Sequence, residues 1–254
     1  MPYRCADCRK FYSVRMGTVM ERTHIPYRDW AIAVYLHQTR PKGISSVQLA
    51  KDLGITQKSA WFMAHRLREA WVNDDEKFTG SVEIDEAYIG GKEKNRHHNR
   101  RGQIPKTPVV GMRDRSTGMV KAKPVPEATA ARLGHFIEEN AEPGASRYTD
   151  CNPAYHMLLN HSTVNHSIEE YVRGDIHING MESFWALLKR GYIGTHHWMS
   201  PKHLFRYVNE FAGRLNLKKA GLDAWGMLAA VARGLAGKRL TYAALIRPNY
   251  GPCT

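Results

Sequence analysis

Three acidic residues and one lysine stand where they could do phosphoryl-transfer chemistry. The run Ser81-Val-Glu-Ile-Asp-Glu-Ala-Tyr-Ile-Gly-Gly91 alternates Val82 and Ile84 on one face, as a half-buried strand does. Asp85 sits in that strand among polar neighbours, where a position that served only the core would be apolar. Asp150 ends a second short strand, Arg147-Tyr-Thr-Asp150, at the edge where loops and ligands meet in α/β sheets. Taken alone, an aspartate before Asn-Pro reads equally well as a turn residue. The third segment, Gly180-Met-Glu-Ser-Phe-Trp-Ala-Leu-Leu-Lys-Arg190, has helical spacing, with Met181, Phe184, Leu187 and Leu188 on one arc. Glu182 and Lys189 stack on the opposite side, two turns apart, which is too far for the usual one-turn ion pair. Lys189 and Arg190 beside a single glutamate suit a phosphate-facing surface. Carboxylates drawn from two strands and a helix can hold two divalent ions roughly 3.5–4 Å apart, one activating a water or 3′ hydroxyl and the other stabilising the leaving oxygen. An all-oxygen donor set selects magnesium, or manganese, over softer metals. The chemistry this implies is metal-assisted phosphoryl transfer on DNA.

These residues need a scaffold, and the pattern between them supplies one. Val109-Val-Gly-Met and Met119-Val-Lys-Ala flank Arg113–Gly118 as a hairpin. Residues 127–140 read as a helix with Ala130, Leu133, Phe136 and Ile137 inward, Pro153 opens another, and helices follow near 180–192 and 201–217. Strand, hairpin, helix, strand, helix, helix is an α/β order, and its topology is that of a ribonuclease-H-like mixed sheet with flanking helices. We assign residues 76–217 to this domain and 218–254 to a basic C-terminal extension with a late helix, carrying Lys238, Arg239 and Arg247.

Upstream, residues 26–75 are helical. Trp30, Ala33 and Val34 recur at helical spacing, and Ser45 or Ser46 caps a short helix with Leu49, Ala50 and Leu53 inward. Gly54 allows a sharp turn into a second helix beginning near Thr56, with Ala60, Met63, Ala64 and Leu67 inward. This spacing resembles a helix-turn-helix. In that reading Gln57, Lys58, Ser59, Phe62 and Arg66 face outward, towards a DNA major groove. An ordinary helical hairpin has the same pattern, and the basic context tilts the choice to DNA. Residues 1–25 hold Cys5-Ala-Asp-Cys8, a knuckle with two of the four ligands that a structural zinc requires. It reads as half of a zinc ribbon whose other half lies upstream or has been lost, or as two cysteines without metal.

Charge sharpens the picture. Lys and Arg number 37 against 24 Asp and Glu, a net charge of +13. The excess concentrates in residues 1–80, 92–123 and 173–254, separated by acidic stretches at 81–91 and 124–172. Such a chain attracts polyanions, of which nucleic acid is the commonest in a cytoplasm. No run of eighteen apolar residues or secretory leader is present, and four cysteines make no disulfide framework. A cytoplasmic, non-membrane protein is therefore expected. Other residues invite ordinary readings. His177, His196 and His197 are surface positions before they are phosphate ligands, Trp185 and Trp198 are core before they are stacking platforms, and Cys151 is a buried thiol before it is a nucleophile.

The Cys-Ala-Asp-Cys knuckle with Phe11 to Val19, the helix-turn-helix pattern, Val-Glu-Ile-Asp-Glu-Ala-Tyr-Ile-Gly-Gly, Tyr-Thr-Asp and His177-Ile-Asn-Gly-Met-Glu-Ser-Phe-Trp-Ala-Leu-Leu-Lys-Arg-Gly together resemble bacterial insertion-sequence transposases of the DDE type, ISXO-like, with zinc ribbon and helix-turn-helix. The resemblance covers about the first 217 residues. It implies binding to the element's terminal inverted repeats, Mg²⁺-dependent cleavage and transfer to target DNA, and assembly of several copies on DNA. Its acids map onto Asp85, Asp150 and Glu182, with the basic partner at Lys189. Asn179, one turn before Glu182, is the alternative third residue, since some members use asparagine there. Glu182 is favoured for the negative charge it adds.

Overall fold

The computed structural model describes residues 3–71, 76–91, 106–150, 152–155, 161–164 and 179–247, apart from the side chains of residues 150, 161, 163 and 164. The chain divides into two compact units, one comprising residues 73–221 and the other residues 1–72 together with 222–254.

The unit of residues 73–221 is built on one mixed sheet. Its strands are β3 (Val82–Ile89), β4 (Thr107–Asp114), β5 (Val120–Pro124), β6 (Arg147–Asp150) and β7 (His161–Val164), in the order β5-β4-β3-β6-β7. The β4–β5 hairpin is antiparallel and so is its pairing with β3, whereas β3, β6 and β7 run parallel. Side chains alternate across β3, so that Val82 and Ile84 join one cluster and Ala87 and Ile89 another. The first cluster is covered by α4 (Ala130–Asn140) through Leu133, Phe136 and Ile137. The second is covered by α5 (Asn179–Gly191) and α6 (Leu204–Lys219), which bring Met181, Phe184, Trp185, Leu188, Tyr207, Val208 and Phe211. Helices on both faces make this a three-layer α/β unit. Three details differ from the sequence reading, one being β7, for which no strand was expected. The helix expected from 127 begins at Ala130, which is exposed because it occupies the first turn beyond the sheet-covering stretch. Among the described residues, the helix expected at Pro153 is a single 3₁₀ turn, Pro153–Tyr155.

In the other unit, α1 (Tyr27–Thr39), α2 (Ser46–Leu53) and α3 (Gln57–Arg68) carry the expected inward residues, with Trp30, Ala33, Leu49, Ala60, Met63, Ala64 and Leu67 buried. Ser45 Oγ accepts from the Gln48 amide and Thr56 Oγ1 from that of Ser59, so α2 and α3 each have a side-chain cap. Gly54 adopts φ 65°, the left-handed conformation that ends α2 and turns the chain into α3. The late segment is more than an extension, since α7 (Ala224–Gly234) and α8 (Tyr242–Ile246) complete this helical unit. Leu235, Leu240 and Leu245 are buried, and Lys238 Nζ donates to the Glu69 carbonyl oxygen. At the N-terminus β1 (Tyr3–Arg4) pairs with β2 (Phe11–Tyr12) around the Cys5–Cys8 knuckle. No helix among the described residues is long and apolar enough to cross a membrane.

Candidate active site on the mixed sheet

Asp85 lies in the middle of β3, and the ladder around it defines the site. On one side it faces Gly111 of β4. On the other, Val82 and Glu83 pair with Arg147 and Tyr148 of the parallel strand β6. Continuing that register to the end of β6 sets Asp150 beside Asp85. Asp150 is in turn paired with Val164 on β7. The two aspartates that the sequence separates are thus neighbours on adjacent strands.

Helix α5 crosses this face closely. A Cβ on Gly111 would lie 2.4 Å from Met181 Cε and 2.8 Å from Trp185 Cη2, so only glycine leaves room for the helix. The close seating brings Trp185 Nε1 to Asp85 Oδ2, to which it donates at 2.9 Å, while Asp85 Oδ1 accepts the Glu86 amide at 2.8 Å. Both carboxylate oxygens are oriented by these bonds. Glu182 stands one helical turn before Trp185, and Lys189 one turn after it. Glu182, Lys189, Arg190 and Asn179 are all exposed, whereas Trp185 is buried. The helix therefore presents a carboxylate, Glu182, and one cation, Lys189, along the side adjoining the Asp85 contact, with Arg190 further round.

The donors on offer are carboxylate oxygens, one of them half-buried and held by two N–H groups, which fits a hard divalent cation. Among the described residues, no three His, Cys, Asp or Glu side chains form a cluster able to hold a metal ion. The Asp150 carboxylate lies outside that description, as do His177 and Cys151.

Two residues next to Asp85 were not singled out in the sequence. Glu83, fully buried, accepts from the Met181 amide at the start of α5 and from Arg113 and Arg115. Glu86 accepts from Asn152 and from the Tyr155 hydroxyl. Alternating acidic residues in Glu83-Ile-Asp-Glu86 were the available signal. The two tryptophans part ways, Trp185 packing in the core and Trp198 standing 60% exposed. His196 packs against the rings of Tyr207 and Phe211, and His197 is exposed.

In the helical unit, Gln57 and Lys58 are exposed on the first turn of α3 and Ser59 is half-buried. Arg66 requires correction, because it is buried rather than facing outward. Its Nε donates to the Leu240 carbonyl oxygen at 3.1 Å and its guanidinium lies over Phe62, 4.2 Å from the ring centroid. Burial, with Arg239 nearby, pulls its pKa below the ordinary arginine value. Phe62 is likewise half-covered, edge-on to Tyr242. The C-terminal segment thus occupies the middle of the helix face that was expected to be open.

Cys5 and Cys8 are free thiols on a loop closed by the Cys5 amide to the Lys10 carbonyl oxygen and the Arg9 amide to the Cys5 carbonyl oxygen. Hydrogen bonds from the backbone of Cys8 and Asp7, and from the Cys8 side chain, hold the Cys5 thiol below its ordinary pKa.

The chain is 29% identical over 241 residues to an uncharacterized protein of the transposable element ISH50 of Halobacterium salinarum, covering 87% of this chain and 81% of that protein. Residues 77–216 match the family model of the ISXO2-like transposase domain, a stretch that includes β3 with Asp85, β6 with Asp150 and α5 with Glu182. With more than half its length inside that match, the chain belongs to the ISXO2-like transposase family of insertion sequences.

Proposed function

We propose that this transposase cleaves DNA at the ends of its element and joins them to target DNA, using Asp85, Asp150 and Glu182 to hold two magnesium or manganese ions on a ribonuclease-H-like sheet. The observation that supports this reading is the parallel pairing of β3 with β6, Val82 with Arg147 and Glu83 with Tyr148, on the strands that carry Asp85 and Asp150, with the helix that bears Glu182 packed against Asp85. Bound ions would supply a nucleophile at neutral pH and charge stabilisation of the leaving oxygen. The chain's own residues do the rest. Trp185 and the Glu86 amide fix the orientation of the Asp85 carboxylate. Glu182 contributes a third anionic donor, with Asn179 as the alternative one turn earlier. Lys189 and Arg190 neutralise backbone phosphates and keep the strand against the carboxylates.

In the same reading α2 and α3 form a helix-turn-helix whose first recognition turn, with Gln57, Lys58 and Ser59, meets the terminal inverted repeats. Cys5 and Cys8 supply two ligands of a zinc ribbon, and their knuckle geometry and the acidified Cys5 thiol support that role. Several copies assemble on paired ends. Incubating the protein with Mg²⁺, a labelled element end and target DNA tests the reading. Joined product is expected, and Asp85→Ala should abolish it while DNA binding survives. Cleavage without joining would mark a nuclease instead, and loss of binding in the variant would contradict the metal role of Asp85.

A further inference from the structure

Asp85 is flanked by two glutamates that point to opposite faces of the sheet, and each ties down a different part of the proposed site. Glu83 shares the Asp85 face. Its Oε2 accepts the Met181 amide at 3.1 Å, and its Oε1 accepts from Arg113 Nη1 at 3.4 Å and Arg115 Nε at 3.3 Å. The first amides of a helix have no intrahelical acceptor, and an anion at that end is favoured by the helix dipole. The seat is tight, because a Cβ on Gly180 would fall 1.7 Å from Arg113 Nη1 and 2.6 Å from Glu83 Oε2. Glu86 reaches the other way. It accepts from Asn152 Nδ2 and from the hydroxyl of the fully buried Tyr155. Asn152 also shapes the turn just after Asp150, where its Oδ1 accepts the Ala154 amide and its carbonyl oxygen the Tyr155 amide.

We propose that Glu83 and Glu86 are positioning residues that lock the elements bearing the second and third acids onto the strand bearing the first. Glu83 fixes the start of α5, one residue before Glu182, and Glu86 fixes the turn two residues after Asp150. Neither donates a ligand to the metals. The carboxylate form matters at position 83, since three N–H donors converge on it and the amide of a glutamine would oppose one of them with a donor of its own. Metal-binding constellations need their ligands held to about 0.5 Å, and bonds behind the ligands do that holding. This inference rests on the metal site proposed above and adds how the site is held.

The test uses the full chain carrying Glu83→Gln, Glu86→Gln or Tyr155→Phe, with Ile137→Ala, buried under α4, as a control for loss of melting temperature. Hydrogen exchange of the amides of residues 179–185 should quicken about tenfold in Glu83→Gln but not in Ile137→Ala, as expected for release of a local anchor. Mn²⁺ affinity, measured below each melting point, should fall about tenfold in all three clamp variants, within the range found for residues behind metal ligands. Unchanged exchange and unchanged Mn²⁺ affinity in folded variants would overturn the proposal, as would an equal loss in Ile137→Ala. Should Glu83→Gln not fold, Gly180→Ala carries the same measurements at that end of the clamp. A wild-type chain that takes up no Mn²⁺ strikes the proposed metal site and the clamp together, whereas wild-type uptake with unperturbed variants strikes the clamp alone.

Discussion

Trp185 Nε1–H and the Glu86 amide hold the Asp85 carboxylate in a fixed orientation, and their contributions can be separated. Trp185→Phe keeps an aromatic ring in the core and deletes the donor. Metal-dependent cleavage is expected to fall roughly tenfold with little change in folding, the usual size of effect for a bond behind a metal ligand. Equal activity in a kinetic assay would show that the bond is incidental. Gly111→Ala addresses the seat of α5. The added methyl overlaps Met181 and Trp185 and should cost about 1–3 kcal/mol of stability, read from a denaturant midpoint. The position of Asp85 inside a strand was legible in the sequence, from Val82 and Ile84 alternating on one face. Glu83 was not, since at an alternating position it carries the same signal as Asp85, and only the structure shows its partners on β4 and α5.

Helix α3 illustrates where local pattern suffices and where it fails. Its cap at Thr56, the left-handed Gly54 before it and its inward face of Ala60, Met63, Ala64 and Leu67 are local or periodic features, and all were readable. The fate of Arg66 was not, because its partner is the carbonyl oxygen of Leu240, a residue far along the chain in a segment that looked like a basic tail. A long cation at helical spacing points outward by default, and a late tertiary contact overrides that default. Lys58 and Arg66 should therefore behave differently. Lys58→Ala is expected to weaken DNA binding and reduce the slope of affinity against salt by about 1, as for loss of one phosphate contact. Arg66→Ala should leave that slope unchanged and cost about 1.5–3 kcal/mol in thermal or chemical unfolding, the range for a buried hydrogen bond from a charged group. Fluorescence anisotropy across a salt series, paired with a melt, checks both, and a slope change in Arg66→Ala would return that residue to the DNA surface.

Across the full chain, a net charge of +13 and the division into a helical unit and a mixed-sheet unit fit a protein that first captures a polyanion and then acts on it. The α/β class was legible from changes of hydrophobic period, and so was the order of strands and helices apart from β7, where no strand was expected and Pro153 was read as opening a helix. The pairing of β3 with β6 was not, since parallel register is set by long-range contacts rather than by either strand's own pattern. Yet that pairing sets the strands that carry Asp85 and Asp150 side by side. The most direct test is a calorimetric titration of Mn²⁺ into the intact chain and into its Asp85→Asn and Asp150→Asn variants. Uptake by the wild-type chain and its loss in each variant is the expected result. Equal uptake by all three, or none by well-folded wild-type protein, would contradict a site shared between β3 and β6.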